Sequence, residues 1–436
     1  MSEPRRPEGI FLDHHSTTPC DPRVVEAMLP YFTEVFGNPS SEHAWGHRSL
    51  EAVEEARSRV AGLLGCEPSE IVFTSGATES DNLALFGSAA AERESRRRGG
   101  PRRHVITCVS EHKAVLDACA RLEQRHGCEV TYLPIEADGR VEAEAVRRAL
   151  RPDTLMVSLM LANNEIGVLH PIGEIAAVCR ERGVLLHTDA AQALAYTDCR
   201  LGELGADLMS LSAHKAYGPK GVGALYARRR RPRVRLEPQL LGGGHERGRR
   251  SGTLAVSQIV GFGAACELIA AERRADARRL EGLRDRLLGR LRGRFPGLVV
   301  NGTLEPGSRL PNSLNVSLPR LAEVGITSRD VLAGIAGEVA LSTGSACTAS
   351  SFDGSYVLKA LPGARPLAEV AFRFGLGRGT RAEEVDRAAD VLCGECEKWI
   401  ERAAGSAASS AAGSAGECGA PPAFSSAAAS STCGVA

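Results

Sequence analysis

The chain has 436 residues, more than one compact core usually covers, and its 43% hydrophobic content is ample to bury two domains. Lys and Arg number 53 against 53 Asp and Glu, which leaves no electrostatic footprint for nucleic acid or an acidic membrane surface. No apolar run approaches the length of a transmembrane helix, and only about ten residues precede the first strand-like segment at Ile10, too few for a signal peptide; the cytosol is therefore the expected location.

Taken in chain order, the apolar runs end in chemically useful residues. Residues 70–74 (Glu-Ile-Val-Phe-Thr) read as a strand; Gly76 permits a tight turn and residues 78–86 look helical, so a helix N-terminus near Thr78 can hold a phosphate. Residues 104–109 form a second strand ending at Ser110-Glu111-His112, and residues 154–161 a third ending at Asn163-Asn164-Glu165. Val-Leu-Leu-His-Thr-Asp ends at Asp189, Ser-Leu-Ser-Ala-His leads to Lys215, and residues 223–226 form an apolar strand. The basic run from Arg228 to Arg235 after it is most simply a solvated turn.

This βα alternation from Ile71 to Tyr226 predicts an α/β fold with a mainly parallel sheet between helices. Ligands of such a sheet sit beyond the carboxyl ends of its strands, so Thr78, His112, Asn163, Asp189 and Lys215 can converge. Lys215 and Asp189 suggest pyridoxal phosphate, which needs an amine to hold its aldehyde as a Schiff base. It also needs a carboxylate to keep its ring nitrogen protonated, so that the ring acts as an electron sink. A solvated lysine and a helix-capping aspartate are the plain alternatives; the shared pattern of strand ends outweighs them.

Further along, Leu241 to Gly248 is glycine-rich but lacks the Gly-Lys-Ser/Thr ending of a P-loop. Residues 255–295 read as a long charged helix, followed by short strands at 298–301 and 312–317. The boundary is placed near Ala275: residues 17–275 form a large cofactor-binding domain, 276–403 a smaller α/β domain joined by residues 1–16, and 404–436 an Ala/Ser/Gly tail expected to be disordered.

The 13 cysteines are scattered and odd in number, which suits reduced packing residues better than a disulfide framework. Cys393 and Cys396 have metal-like spacing, but no second pair faces them and residues 383–400 read as an amphipathic helix, so no metal is expected. Cys347 lies in a small-residue loop, residues 342–351, with no periodicity to bury it, and a loop cysteine of this kind can be mobile and ionisable. His14 and His15 read as polar packing near the mouth of the site and receive no role.

A series of motifs carries a resemblance. They are Phe11-Leu-Asp-His-His-Ser-Thr-Thr-Pro19, Gly37-Asn-Pro-Ser-Ser41, Thr74-Ser-Gly-Ala-Thr-Glu-Ser-Asp-Asn82, Glu111-His-Lys-Ala-Val115, Asn163-Asn-Glu-Ile-Gly167, His187-Thr-Asp-Ala-Ala-Gln192, Ser212-Ala-His-Lys215, Gly242-Gly-Gly-His-Glu-Arg247, Arg250-Ser-Gly-Thr253 and Gly344-Ser-Ala-Cys347. Over roughly residues 10 to 400 the chain resembles the cysteine desulfurases, fold-type I pyridoxal phosphate enzymes, in the subgroup whose loop reads Gly-Ser-Ala-Cys-Thr and which donates sulfur for iron–sulfur clusters and tRNA thiolation.

The resemblance implies a large domain with a seven-stranded sheet, a homodimer and pyridoxal phosphate as cofactor. It makes Lys215 the cofactor's attachment point and proton shuttle, Asp189 the partner of the ring nitrogen, and Gln192 the neighbour of the phenolic oxygen. His112 would stack on the ring; Ala77, Thr78, Ser212 and His214 would bind the phosphate, and Thr253 would reach that of a partner subunit. Arg373, helped by Asn163, would grip the substrate carboxylate bidentately, because a planar guanidinium matches a carboxylate. Cys347 would take sulfur from L-cysteine as a persulfide, leaving alanine, and pass it to an acceptor. The low-complexity C-terminus does not look like the helical extension by which related enzymes dock an iron–sulfur scaffold protein. The alternatives are a selenocysteine lyase on the same scaffold, an aminotransferase with no use for a loop nucleophile, and a catalytically idle partner protein.

Overall fold

The computed structural model describes residues 9–94, 100–230, 233–344 and 354–414, with side chains as far as Gly405. Its strands are β1 (Ile10–Phe11), β2 (Ile71–Thr74), β3 (His104–Cys108), β4 (Glu129–Leu133), β5 (Thr154–Ser158), β6 (Leu185–Asp189), β7 (Leu208–Ser212), β8 (Gly223–Ala227), β9 (Val299–Val300), β10 (Ser313–Ser317), β11 (Val339–Ala340) and β12 (Ala371–Gly375). Seven of them form one sheet in the order β2-β8-β7-β6-β5-β3-β4. Only β8 runs against its neighbours; the β3, β4, β5, β6 and β7 pairings are parallel.

Strands β2, β3, β5, β7 and β8 have every residue buried and β6 all but Leu185, as a sheet covered by helices on both faces requires. Outer strand β4 is partly exposed. Because β8 is antiparallel to both β2 and β7, those two run in the same sense, and the carboxyl end of β2 lies on the edge where β6 and β7 end. The turn after β2 closes tightly onto that edge. A Cβ at Gly223 would stand 2.3 Å from the Leu211 carbonyl oxygen and 2.7 Å from the Gly76 Cα, while Gly76 itself has φ of 154°. Glycine at both positions therefore lets the helix Ala77–Arg93 begin directly over the sheet edge.

A buried ion pair braces the same region. Arg57, from the helix Ala44–Leu64, bonds both oxygens of Glu246 at 2.7 and 2.8 Å, and Glu246 also accepts the Phe73 N–H at 2.8 Å. This fork-to-fork pairing pins the glycine-rich segment against β2.

A second, antiparallel sheet has the order β12-β10-β9, and β1 pairs in parallel with β11, so the first strand is hydrogen-bonded to the C-terminal part of the chain. The helix Val256–Arg294 runs unbroken through Ala275, so the division placed there falls within the long helix that the sequence predicts. The final helix, Ala382–Ser414, continues past Ala404 into the segment expected to be disordered. Alanine, the best helix former, extends it there although little is available to bury. Among the described residues all cysteines are free, and all but Cys20 and Cys66 are buried. No described helix is long and apolar enough to cross a membrane.

Candidate active site

The convergence starts from strand register. β6 and β7 pair with Asp189 opposite Ser210, and a single 3-10 turn, Ala213–Lys215, carries the chain from Ser212 to Lys215 at the same edge. Asp189 is buried and accepts the Ala191 N–H at 2.8 Å, while Lys215 is half-buried. His112 caps the helix Lys113–His126 with its Nδ1 accepting from the Ala114 N–H at 3.2 Å. Its pKa is lowered first by burial and then by the Lys215 charge, with Asp189 opposing, so three strand ends contribute groups that feel one another.

His214 is held by the N-terminal segment. Its Nδ1 meets Thr17 Oγ1 at 3.1 Å, and its carbonyl accepts from the Thr18 N–H and Oγ1 at 2.8 and 2.9 Å. Burial, then Lys215 and Lys220, press its pKa down to about 4, which leaves it neutral. Ser212 is buried; Ala77 and Thr78 form the first turn of their helix, and Thr78 is exposed. Thr253 is exposed on a loop tied to that same turn, because Arg250 bonds Glu79 at 2.8 Å. Gln192 is buried and doubly bonded to His15: its Nε2 donates to the His15 carbonyl at 2.8 Å and its Oε1 faces the His15 Nδ1 at 3.3 Å.

Beneath His112, Glu111 is fully buried and accepts the Met160 N–H at 2.6 Å. Burial pushes its carboxyl up to about 8, and the Asp189 charge adds to the rise. Between its ordinary pKa and 8 the folded protein keeps a proton that the unfolded chain releases, so this carboxyl makes stability fall as pH rises through that window. Glu111→Gln keeps the acceptor for Met160 but cannot titrate. We expect its Tm to decline less than that of the parent between about pH 5 and pH 8; parallel Tm profiles would rule out a proton on Glu111.

Arg373 on β12 is among the largest fully buried side chains. Its Nη2 donates to Asp13 Oδ1 at 2.8 Å and its Nη1 to the Asn164 carbonyl at 3.1 Å, while Nε has no partner among the described residues. A guanidinium has five N–H donors, so donors remain for an anion. Asn163 is the residue before the Asn164 carbonyl that Arg373 bonds. Its amide donates to the Ser110 carbonyl at 2.9 Å and its oxygen accepts from the Glu165 and Ile166 N–H groups, so the side chain builds the turn that presents the Asn164 carbonyl.

Cys347 lies outside the described residues. The two ends of its loop converge on Glu165: Ser355 Oγ donates to Glu165 Oε2, and a Cβ at Gly344 would stand 3.2 Å from that same oxygen. Tyr356 then ties the following helix to the Glu111 carbonyl at 2.5 Å.

Asp13, His15, Glu111 and Glu165 have no role in the sequence reading, although each lies inside one of the motifs that carry the resemblance. The signal available was a charged or polar residue directly following an apolar run, as Asp13 follows Ile10 to Leu12. The set suits pyridoxal phosphate: an amine and a carboxylate on paired strand ends, a histidine that feels both charges, and a helix N-terminus at the same edge.

Comparison with known proteins agrees with this geometry. The class-V aminotransferase model matches residues 10–388. The chain is similar to the cysteine desulfurase IscS of Anaeromyxobacter dehalogenans (strain 2CP-C), 51% identical over 380 residues that cover 87% of this chain and 90% of that protein. It is also similar to a mitochondrial cysteine desulfurase of Arabidopsis thaliana, 48% identical over 90% of this chain and 83% of that protein. Among solved structures it resembles SspA in complex with cysteine, with a TM-score of 0.72 and 36% identity over 84% of this chain and 98% of that one. The chain belongs to the class-V aminotransferases, pyridoxal phosphate enzymes, and within them to the cysteine desulfurases.

Proposed function

We propose that this chain takes sulfur from L-cysteine, releases L-alanine, and holds the sulfur as a persulfide on Cys347 for an acceptor such as an iron–sulfur scaffold protein. The observation that carries the reading is the meeting of Lys215, Asp189 and His112 at one sheet edge, with a fully buried Arg373 on the strand that pairs at Ser342 with the root of the Cys347 loop. When bound there, pyridoxal phosphate supplies an electron sink for the carbon next to the substrate amine.

The chain's own residues do the rest. Lys215 would hold the cofactor and move the α-proton, with Asp189 serving its ring nitrogen and Gln192 its phenolic oxygen. His112 would cover the ring, and Ala77, Thr78, Ser212 and His214 would hold the phosphate. Thr253 would take the phosphate of a partner subunit, and Arg373 would grip the substrate carboxylate, helped by Asn163. The Cys347 thiolate attacks the substrate sulfur, forming the S–S bond as the C–S bond breaks; the carbon keeps the electron pair and, once protonated, becomes the methyl of alanine.

A homodimer agrees with exposed Phe32, Phe36, Trp45 and Leu241, the last 82% exposed, since apolar side chains of this size invite cover. We place the protein in the cytoplasm. The test is alanine and sulfide release from L-cysteine with a reducing thiol, beside L-selenocysteine. Cysteine turnover is expected; turnover of selenocysteine alone would move the reading to a selenocysteine lyase.

A further inference from the structure

We propose that His15 is a positioning residue whose ring locks the Arg373 guanidinium for carboxylate binding and couples it to Gln192; the inference rests on the reading of Arg373 as the carboxylate grip. Three observations carry it. Arg373 and Gly375 stand two apart on β12 and so share a face. A Cβ at Gly375 would lie 2.6 Å from His15 Cδ2, so the imidazole fills the place of a side chain there, alongside Arg373. Finally, two buried atoms lack partners among the described residues: His15 Nε2 and Arg373 Nε.

Their chemistry is complementary. The Gln192 amide nitrogen faces the His15 carbonyl, which only accepts, so Gln192 turns its oxygen to the ring. That oxygen requires the proton on Nδ1, which leaves Nε2 an acceptor. Burial, then the Arg373 charge, holds the ring's pKa at about 3 and keeps that lone pair free at neutral pH; Lys215 and His14 act in the same direction. Arg373 Nε–H can only donate. Each atom alone is a buried polar group left unsatisfied, and a small rotation of the guanidinium as it engages a carboxylate pairs them.

The experiment reads L-alanine binding to the holoenzyme as a change in the bound cofactor's absorption, with cofactor content and Tm measured alongside. His15→Leu is expected to weaken L-alanine binding about 10-fold, the loss of one hydrogen bond to a charged group, with cofactor content unchanged. His15→Gln, whose amide oxygen can reach the Nε2 position, should restore most of the binding. In an Arg373→Lys background, His15→Leu should add less than about 2-fold. Equal losses in both backgrounds, no loss in either, or loss of cofactor with L-alanine affinity intact would overturn the coupling. If Arg373→Lys alone leaves L-alanine binding unchanged, the carboxylate reading of Arg373 falls, and this inference with it.

Discussion

Lys215→Ala is expected to abolish the protein's covalent hold on its cofactor and to lower alanine release from L-cysteine at least about 10³-fold. Two functions leave together, attachment and proton transfer, and no neighbour can replace them. The chain has few lysines; Lys220, the nearest in sequence, is exposed and five residues beyond the 3-10 turn. His214 and His112 remain, but an imidazole offers no primary amine for a Schiff base, and burial, the first cause of both lowered pKa values, persists without Lys215. Absorption spectroscopy of the purified variant is the direct check. An unchanged spectrum would sink the assignment of Lys215.

Cys347→Ala is expected to eliminate the protein-bound persulfide, to lower sulfide release at least about 10³-fold, and to leave the cofactor spectrum as in the parent. The described cysteines offer no substitute nucleophile. Cys108, closest in the chain to the His112 turn, is fully buried with its Sγ 3.3 Å from Ser110 Oγ, and burial pushes its thiol far up. Cys20, partly exposed, also has its thiol raised by burial and Asp21. Thiolate, not thiol, is the attacking species, so a raised pKa removes both from contention. Mass measurement after incubation with L-cysteine would show an added sulfur in the parent and none in the variant. Loss of bound cofactor in the variant would refute the separation of roles between Lys215 and Cys347.

Local pattern made much of the scaffold legible. The apolar runs ending at Thr74, Cys108 and Asp189 are strands of the seven-stranded sheet, buried except for a half-buried Leu185, and strands covered on both faces read as continuous hydrophobic runs. The run at residues 154–161 is strand to Ser158; beyond it the Leu159 and Leu161 N–H groups still reach the His187 and Asp189 carbonyls of β6, while the Met160 N–H goes to Glu111. The tail illustrates the opposite limit: composition predicted disorder beyond Ala404, yet alanine's helix propensity carries the last helix to Ser414.

By itself the sequence determined which residue types stand at the strand ends, because a strand's burial and a turn's chemistry are written within a few neighbouring residues. Lys215, Asp189 and His112 were readable for that reason. Only the tertiary structure decided what those residues meet. Arg373 finds Asp13 across 360 positions, Gln192 is clasped by His15 across 177, and the roots of the Cys347 loop close on Glu165. These contacts exist because β1 pairs with β11 and Asp13 bridges to Gly375, which draws the start of the chain into the site. Pairing at such separation leaves no local period in the sequence, so it is settled by how the sheets pack and not by any single segment.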